Sequence, residues 1–285
     1  MQPPLISIVI PCYNQEMYLS ECLQSVVQQS YTHWECLVID DGSTDNSKNI
    51  ALQWAEKDQR FKYYKKDNGG LSSARNLGLE KHSGDWVLFL DGDDIIYTEK
   101  LQQSMLHAEN NTLVVTNFEM LSNEGLTYEP FSEITKYPID LYHIVRKWDI
   151  DFNIPVHCIL IKSDLVGDIR FKEGIKAKED WIFWIDIFSK ETTPSVKLIN
   201  EKLVCYRQHA TGISKNFKNV YIANKEANEY IYFKHGDFVK NALFERLNEQ
   251  NFIVNNESFN RKTYIQQLKN TKILKYYLKL KMIFK

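Results

Sequence analysis

Short, continuous apolar runs alternate with segments in which apolar residues return at helical spacing. The run Leu5 to Ile10 is rich in β-branched residues and reads as a strand covered on both faces, closed by Pro11. After it, Tyr18, Leu19, Cys22, Leu23, Val26 and Val27 repeat every three or four positions, and Asn14 is placed to cap the helix they predict. Trp34 to Ile39 is a second strand, running into the polar turn Asp40 to Asp45, and a helix is predicted from Ser47 to Lys57. Phe61 to Tyr64 reads as a third, weaker strand, Asp67 to Gly70 as a turn and Leu71 to Lys81 as a helix. Trp86 to Leu90 is again a buried strand, too short to cross a membrane, and it opens at once into Asp91-Gly92-Asp93-Asp94. A helix from Thr98 to Glu109 and a strand from Leu113 to Phe118 follow.

Strands alternating with helices at short intervals predict an α/β protein, Rossmann-like, with a mostly parallel central sheet flanked by helices. In such sheets ligands sit at the carboxyl ends of the strands. Three polar clusters fall there: Pro11 to Asn14, Asp40 to Ser43 and Asp91 to Asp94. From Glu119 to Gly174 the pattern is less regular and punctuated by Pro130, Pro138 and Pro155. That predicts loops and short helices, with a strand near Val156 to Ile161. Glu179 to Phe188 is an aromatic helix, Val196 to Tyr206 a strand or hairpin, and the stretches 220–233 and 239–248 are helical.

Composition changes this picture little. With 285 residues, 44% hydrophobic and 25% charged, the chain is an ordinary globular protein. A net charge of −2 implies no nucleic-acid partner. The five cysteines are scattered and without CxxC spacing, which points to free thiols in a reducing compartment. The N-terminus has no basic region followed by a long apolar segment, and a cytoplasmic protein is expected. The charge is uneven, however. Residues 261–285 carry many Lys and Arg side chains and no acid, with Lys269, Lys272, Lys275 and Lys279 at helical spacing against Ile265, Leu268, Leu274 and Leu278. Read as a helix, this is a basic amphipathic segment suited to peripheral contact with an anionic membrane, or to a partner protein or the body of the fold.

Candidate chemistry gathers at the strand ends. In extended backbone residues i and i+2 share a face, so Asp91 and Asp93 both reach one ligand, and Gly92 lets the backbone come close to it. Two carboxylates on one face suit a hard divalent cation, Mg2+ or Mn2+, that is also held by phosphates. Asp41 can accept the imide N–H of a pyrimidine or cap a helix; Tyr13 can stack on the same ring or pack in the core. Arg75 can reach a diphosphate through its guanidinium fork or pair with a neighbouring acid. No GxGxxG or GxxxxGK[ST] motif is present.

Five blocks resemble the family-2 glycosyltransferases of bacterial surface polysaccharides, which have the GT-A fold. They are Ile6-Ser7-Ile8-Val9-Ile10-Pro11-Cys12-Tyr13-Asn14, Val38-Ile39-Asp40-Asp41-Gly42-Ser43-Thr44-Asp45, Asn68-Gly69-Gly70-Leu71-Ser72-Ser73-Ala74-Arg75-Asn76, Phe89-Leu90-Asp91-Gly92-Asp93-Asp94 and Glu179-Asp180-Trp181. The resemblance runs from Leu5 to His209. It implies a catalytic domain over 1–212, with a nucleotide-binding half (1–118) and an acceptor-binding half (119–212), and a helical extension over 213–285. It further implies an inverting, metal-dependent transfer from a nucleotide sugar, UDP-linked by first choice, to a saccharide or lipid-linked acceptor in lipopolysaccharide, capsule or related biosynthesis. Pro11, Tyr13, Asn14, Asp41, Arg75, Asp91 and Gly92 would line the nucleotide; Asp91, Asp93 and His209 would meet the metal. Asp180 would be the catalytic base, with Glu179 and Trp181 beside the acceptor. The bare residues also allow Glu179 and Asp180 to be helix-dipole compensation and Trp181 to be core. The competing readings are a nucleotidyltransferase, which would want a Gly-rich basic loop after the first strand, and a non-catalytic nucleotide-sugar-binding relative, against which the full acidic set argues.

Overall fold

The computed structural model describes residues 3–109, 112–122, 124–208 and 217–256. Its first half alternates strand and helix as the apolar pattern requires: β1 (Ile6–Cys12), α1 (Leu19–Val27), β2 (Trp34–Asp40), α2 (Ser47–Lys57), β3 (Phe61–Lys65), α3 (Leu71–Lys81) and β4 (Trp86–Phe89). Then come β5 (Ile95–Ile96), α4 (Lys100–Leu106), β6 (Thr112–Leu121), β7 (Thr127–Tyr128) and α5 (Leu141–Lys147). A 3-10 turn at Val156–Cys158 leads into β8 (Ile159–Lys162) and the single turn α6 (Ser163–Val166). The chain continues through α7 (Glu179–Phe188), β9 (Ser195–Arg207), α8 (Phe217–Lys234) and α9 (Asp237–Asn256).

Among the described residues the strands form one sheet in the order β3-β2-β1-β4-β8-β6-β9-β5, with β7 paired to β6. β3, β2, β1 and β4 are mutually parallel, and β8 returns antiparallel between β4 and β6. Every residue of β1 and β2 is buried, because helices cover both faces, and their sequences are mostly apolar without alternation, Ser7, Glu35 and Asp40 being the polar exceptions. α3 lies close on β1: a Cβ added at Gly78 would stand 2.2 Å from Val9 Cγ1, so no larger residue fits that crossing unchanged.

Two local expectations change. Asn14 does not cap α1, which begins five residues later at Leu19. Instead Asn14 takes a left-handed conformation (φ 54°) and its Oδ1 accepts the Thr44 N–H at 2.8 Å, tying the loop after β1 to the loop after β2. The predicted strand at Val156 starts three residues later, since Pro155 opens the 3-10 turn instead.

Beneath the strand ends lies an aromatic cluster. Phe171 and Phe183 stack at 4.0 Å with a 4° interplanar angle, and Phe89 meets both edge-on. The last two helices are fastened to α7: Lys234 donates to Asp186 at 2.7 Å, and the Arg246 guanidinium lies 4.5 Å over the Trp181 ring. No helix among the described residues is long and apolar enough to cross a membrane. The basic stretch 261–285 lies outside the described residues.

Candidate active site

Parallel neighbours in register deliver the first group. Cys12 pairs with Asp40, and Asp40 with Lys65, so the next residues on the three strands, Tyr13, Asp41 and Lys66, emerge side by side. Tyr13 is half exposed and free to stack on a planar ligand. Asp41 is buried: its carboxylate accepts the N–H groups of Gly69 (2.9 Å) and Gly70 (2.7 Å) and the ammonium of Lys66 (2.7 Å). Pro11 completes this rim, its carbonyl oxygen 3.4 Å from where a Cβ on Gly92 would stand; the lack of a side chain at Gly92 brings the two loops together.

The second group sits at the end of β4. Asp91 is partly exposed and accepts Arg75 Nη2 at 2.7 Å. The other terminal nitrogen of Arg75 donates to Glu179 at 3.1 Å, and the guanidinium rests 5.2 Å over Phe171. Arg75 is therefore buried between two carboxylates, and its fork is engaged within the protein. Burial opposes its charge, but Asp91 and Glu179 outweigh that and hold its pKa above the usual value. Asp94, in the same turn, is buried. One oxygen accepts the Arg207 N–H at 2.7 Å and the other faces His157 Nδ1 at 3.0 Å. Arg207 also donates through Nε to the Asp93 carbonyl at 2.8 Å and through Nη2 to Glu21 at 2.6 Å, locking the acidic turn to β9. The Asp93 side chain is partly exposed.

Asp180 opens α7 one residue after the partner of Arg75. Burial, then the charges of Glu179 and Asp149, push its carboxyl up to about 7, against the pull of Lys178 and the Trp181 N–H. A carboxylate so poised can take a proton near neutral pH. Asp149 and Lys178 form an ion pair and both hold left-handed backbone (φ 56° and 74°), a strained arrangement for residues with side chains. Burial, and then the charges of Asp94, Asp91, Asp93 and Asp180, raise the pKa of the Tyr206 hydroxyl.

Trp181 faces inward. It is fully buried, and its indole N–H donates to the Ile144 carbonyl at 2.7 Å, so its ring packs in the core and presents no face to an acceptor. Glu179, beside it, is committed to Arg75. His209 lies outside the described residues.

The ligand atoms of Asp91, Asp94 and His157 lie within 4.8 Å of one another. An oxygen-rich set at a partly open strand end fits Mg2+ or Mn2+. Asp94, His157, Arg207 and Lys66 were not singled out as site residues from sequence. The only signal for Lys66 was its place directly after β3. His157, in the 3-10 turn before β8, and Arg207, at the end of β9, return to the site from far along the chain, and no spacing announces them.

The glycosyl transferase family 2 model matches residues 7–167. An uncharacterized glycosyltransferase of Haemophilus influenzae is 34% identical over 219 residues, 76% of this chain and 84% of the relative. The Escherichia coli UDP-Glc:alpha-D-GlcNAc-diphosphoundecaprenol beta-1,3-glucosyltransferase WfgD is 30% identical over 262 residues, 89% of this chain and 94% of the relative. Several other relatives are longer, and the chain spans 63%, 44% and 31% of three of them. Among solved structures, S. aureus TarS 1-349 in complex with UDP-GlcNAc superposes with a TM-score of 0.69 at 22% identity, covering 90% of this chain and 76% of that one. The mannosyltransferase PcManGT from Pyrobaculum calidifontis, in complex with GDP-Man and Mn2+, gives 0.60 at 14% identity, covering 97% and 84%. These two likenesses share the GT-A-like α/β fold expected from the sequence.

Proposed function

The chain belongs to glycosyl transferase family 2, and we propose that it moves a sugar, with inversion, from a UDP-sugar to a hydroxyl of a saccharide carried on a lipid diphosphate. The observation that carries this reading is the Arg75 bridge. It joins Asp91, at the strand end suited to a donor diphosphate, to Glu179, the neighbour of Asp180, and so ties the two chemistries to one guanidinium.

Tyr13 stacks on the base, and the strand-end loops of Pro11 and Asn14 frame it. Asp91 would meet the ribose, and Asp91 and Asp93 would hold the divalent ion, with Asp94 and His157, whose ligand atoms lie within 4.8 Å of one another and of those of Asp91, able to complete its shell. A bound Mn2+ or Mg2+ supplies positive charge where the leaving diphosphate gains negative charge. Asp180 accepts the proton of the acceptor hydroxyl as its oxygen bonds to the anomeric carbon. The bond from that carbon to the diphosphate oxygen breaks on the opposite face, and UDP departs. Glu179 holds the adjoining turn through Arg75. The UDP-sugar and lipid-linked acceptor named for the E. coli relative, the UDP-GlcNAc bound by TarS and the Mn2+ bound by PcManGT support the choice of donor, acceptor and ion. Such an acceptor lies at a membrane surface, which suits a peripheral role for the basic residues 261–285.

The test is a panel of UDP-sugars with Mn2+ and synthetic lipid-diphosphate saccharides, read by UDP release and by product NMR. The expected result is one donor turned over with inversion at the anomeric carbon. Retention of configuration, or no UDP release with any donor, defeats the proposal.

A further inference from the structure

We propose that Lys66 is the residue that reads the donor's base, and that Asp41 acts as its anchor. This rests on the nucleoside-diphosphate reading above. The register of three adjacent parallel strands puts Tyr13, Asp41 and Lys66 in one row, with an exposed aromatic ring at one end. Asp41 itself is covered. Its side chain is 4% exposed, and its oxygens already accept Gly69 N–H, Gly70 N–H and the Lys66 ammonium. Lys66 is more open, with its side chain 19% exposed, so its ammonium can be reached from solvent.

The ammonium carries three protons. One is directed to Asp41 Oδ1 at 2.7 Å and one to the Asp67 carbonyl at 2.6 Å. The third has no partner among the described residues. Two fixed acceptors hold the nitrogen in place, so the third proton has a defined direction instead of sweeping through rotamers. A base stacked on Tyr13 would present its exocyclic edge to this donor. A keto oxygen, as at position 4 of uracil, accepts that proton. The amino group at position 4 of cytosine sets donor against donor and leaves a cation facing an N–H. A site built around a fixed donor rejects such an analogue, since the unmet group loses its hydration without replacement. Lys66 therefore selects keto bases, and the selection rests on a single exocyclic atom.

The experiment is calorimetric titration of UDP and CDP, with Mn2+ present, into the full chain and into Lys66→Gln and Lys66→Met. The unmodified chain should bind UDP at least about 30-fold more tightly than CDP, the equivalent of one charge-assisted hydrogen bond. Lys66→Gln should bring the two within about threefold, because its amide can turn either its oxygen or its NH2 to the base. Lys66→Met should weaken UDP while leaving CDP little changed. Equal binding of UDP and CDP by the unmodified chain overturns the proposal with no variant needed, and so does an undiminished preference in a folded Lys66→Gln. Failure of the unmodified chain to bind either nucleotide takes down the function proposed above as well.

Discussion

Arg75 Nη1 stands 3.1 Å from Glu179 Oε1, across 104 residues of sequence, and this contact joins the helix that follows β3 to the helix that carries Asp180. The same guanidinium holds Asp91 at 2.7 Å. Breaking such a pair from the cationic side leaves two carboxylates facing each other in a poorly hydrated gap. Arg75→Met should therefore lower stability by about 3 kcal/mol and reduce UDP release by two orders of magnitude or more. Chemical denaturation and steady-state turnover measure the two effects. A variant with unchanged turnover would show that the bridge is mere packing.

Asp180, as the proposed base, should govern the pH dependence of transfer. Its carboxyl is raised to about 7, so the proton-accepting form increases as pH rises through that value. The pH profile of kcat/KM should climb with an apparent pKa near 7, and Asp180→Asn should lose transfer while UDP still binds. The stability term has the opposite sign. A carboxyl whose folded pKa lies above its unfolded value favours the fold fully below about pH 4, and that contribution is lost as pH rises toward 7. Asp180→Asn should flatten that part of the melting-temperature profile.

Lys100 gives a second pH signature. It is fully buried, donates to Thr116 Oγ1 at 2.7 Å and to the Cys158 carbonyl at 2.8 Å, and burial lowers its pKa to about 7. A depressed lysine contributes stability that is whole above the unfolded pKa and lost as pH falls toward the folded one. The protein should therefore gain stability between pH 7 and 10, by several kcal/mol at most. Lys100→Met should remove that slope. An identical slope in the variant contradicts the assignment.

The α3–β1 crossing has no spare room. With a Cβ at Gly78 only 2.2 Å from Val9 Cγ1, Gly78→Ala must push the helix off the strand, at a cost of about 2–3 kcal/mol. Pairing it with Val9→Ala should recover most of the loss, which thermal melts of the single and double variants can check.

Removal of divalent ions tests the acidic turn. UDP should raise the melting temperature with Mn2+ present and lose most of that effect in excess EDTA. Asp93→Ala should behave in Mn2+ as the unmodified chain does in EDTA. A UDP shift indifferent to both would argue that the nucleotide binds without the ion.

The fold, and the strand ends where the candidate site residues gather, were legible because they rest on local signals. The β-branched apolar runs at Leu5 to Ile10 and Trp34 to Ile39, interrupted only by Ser7 and Glu35, and the run Trp86 to Leu90 read as strands buried on both faces, and such strands in alternation with helices bring Tyr13, Asp41 and Asp91 to one edge. The helix Glu179–Phe188 was legible from its aromatic, apolar content. What each side chain meets there was settled only by the folded chain. Arg75 faces carboxylates, Trp181 turns into the core, Asp94 finds His157, and Lys66 closes over Asp41. Apolar periodicity fixes which face of an element is buried, because burial depends on a residue's own solvation. Polar partners depend on where β8, β9 and α7 return to the sheet, and that geometry is set by the packing of the whole core.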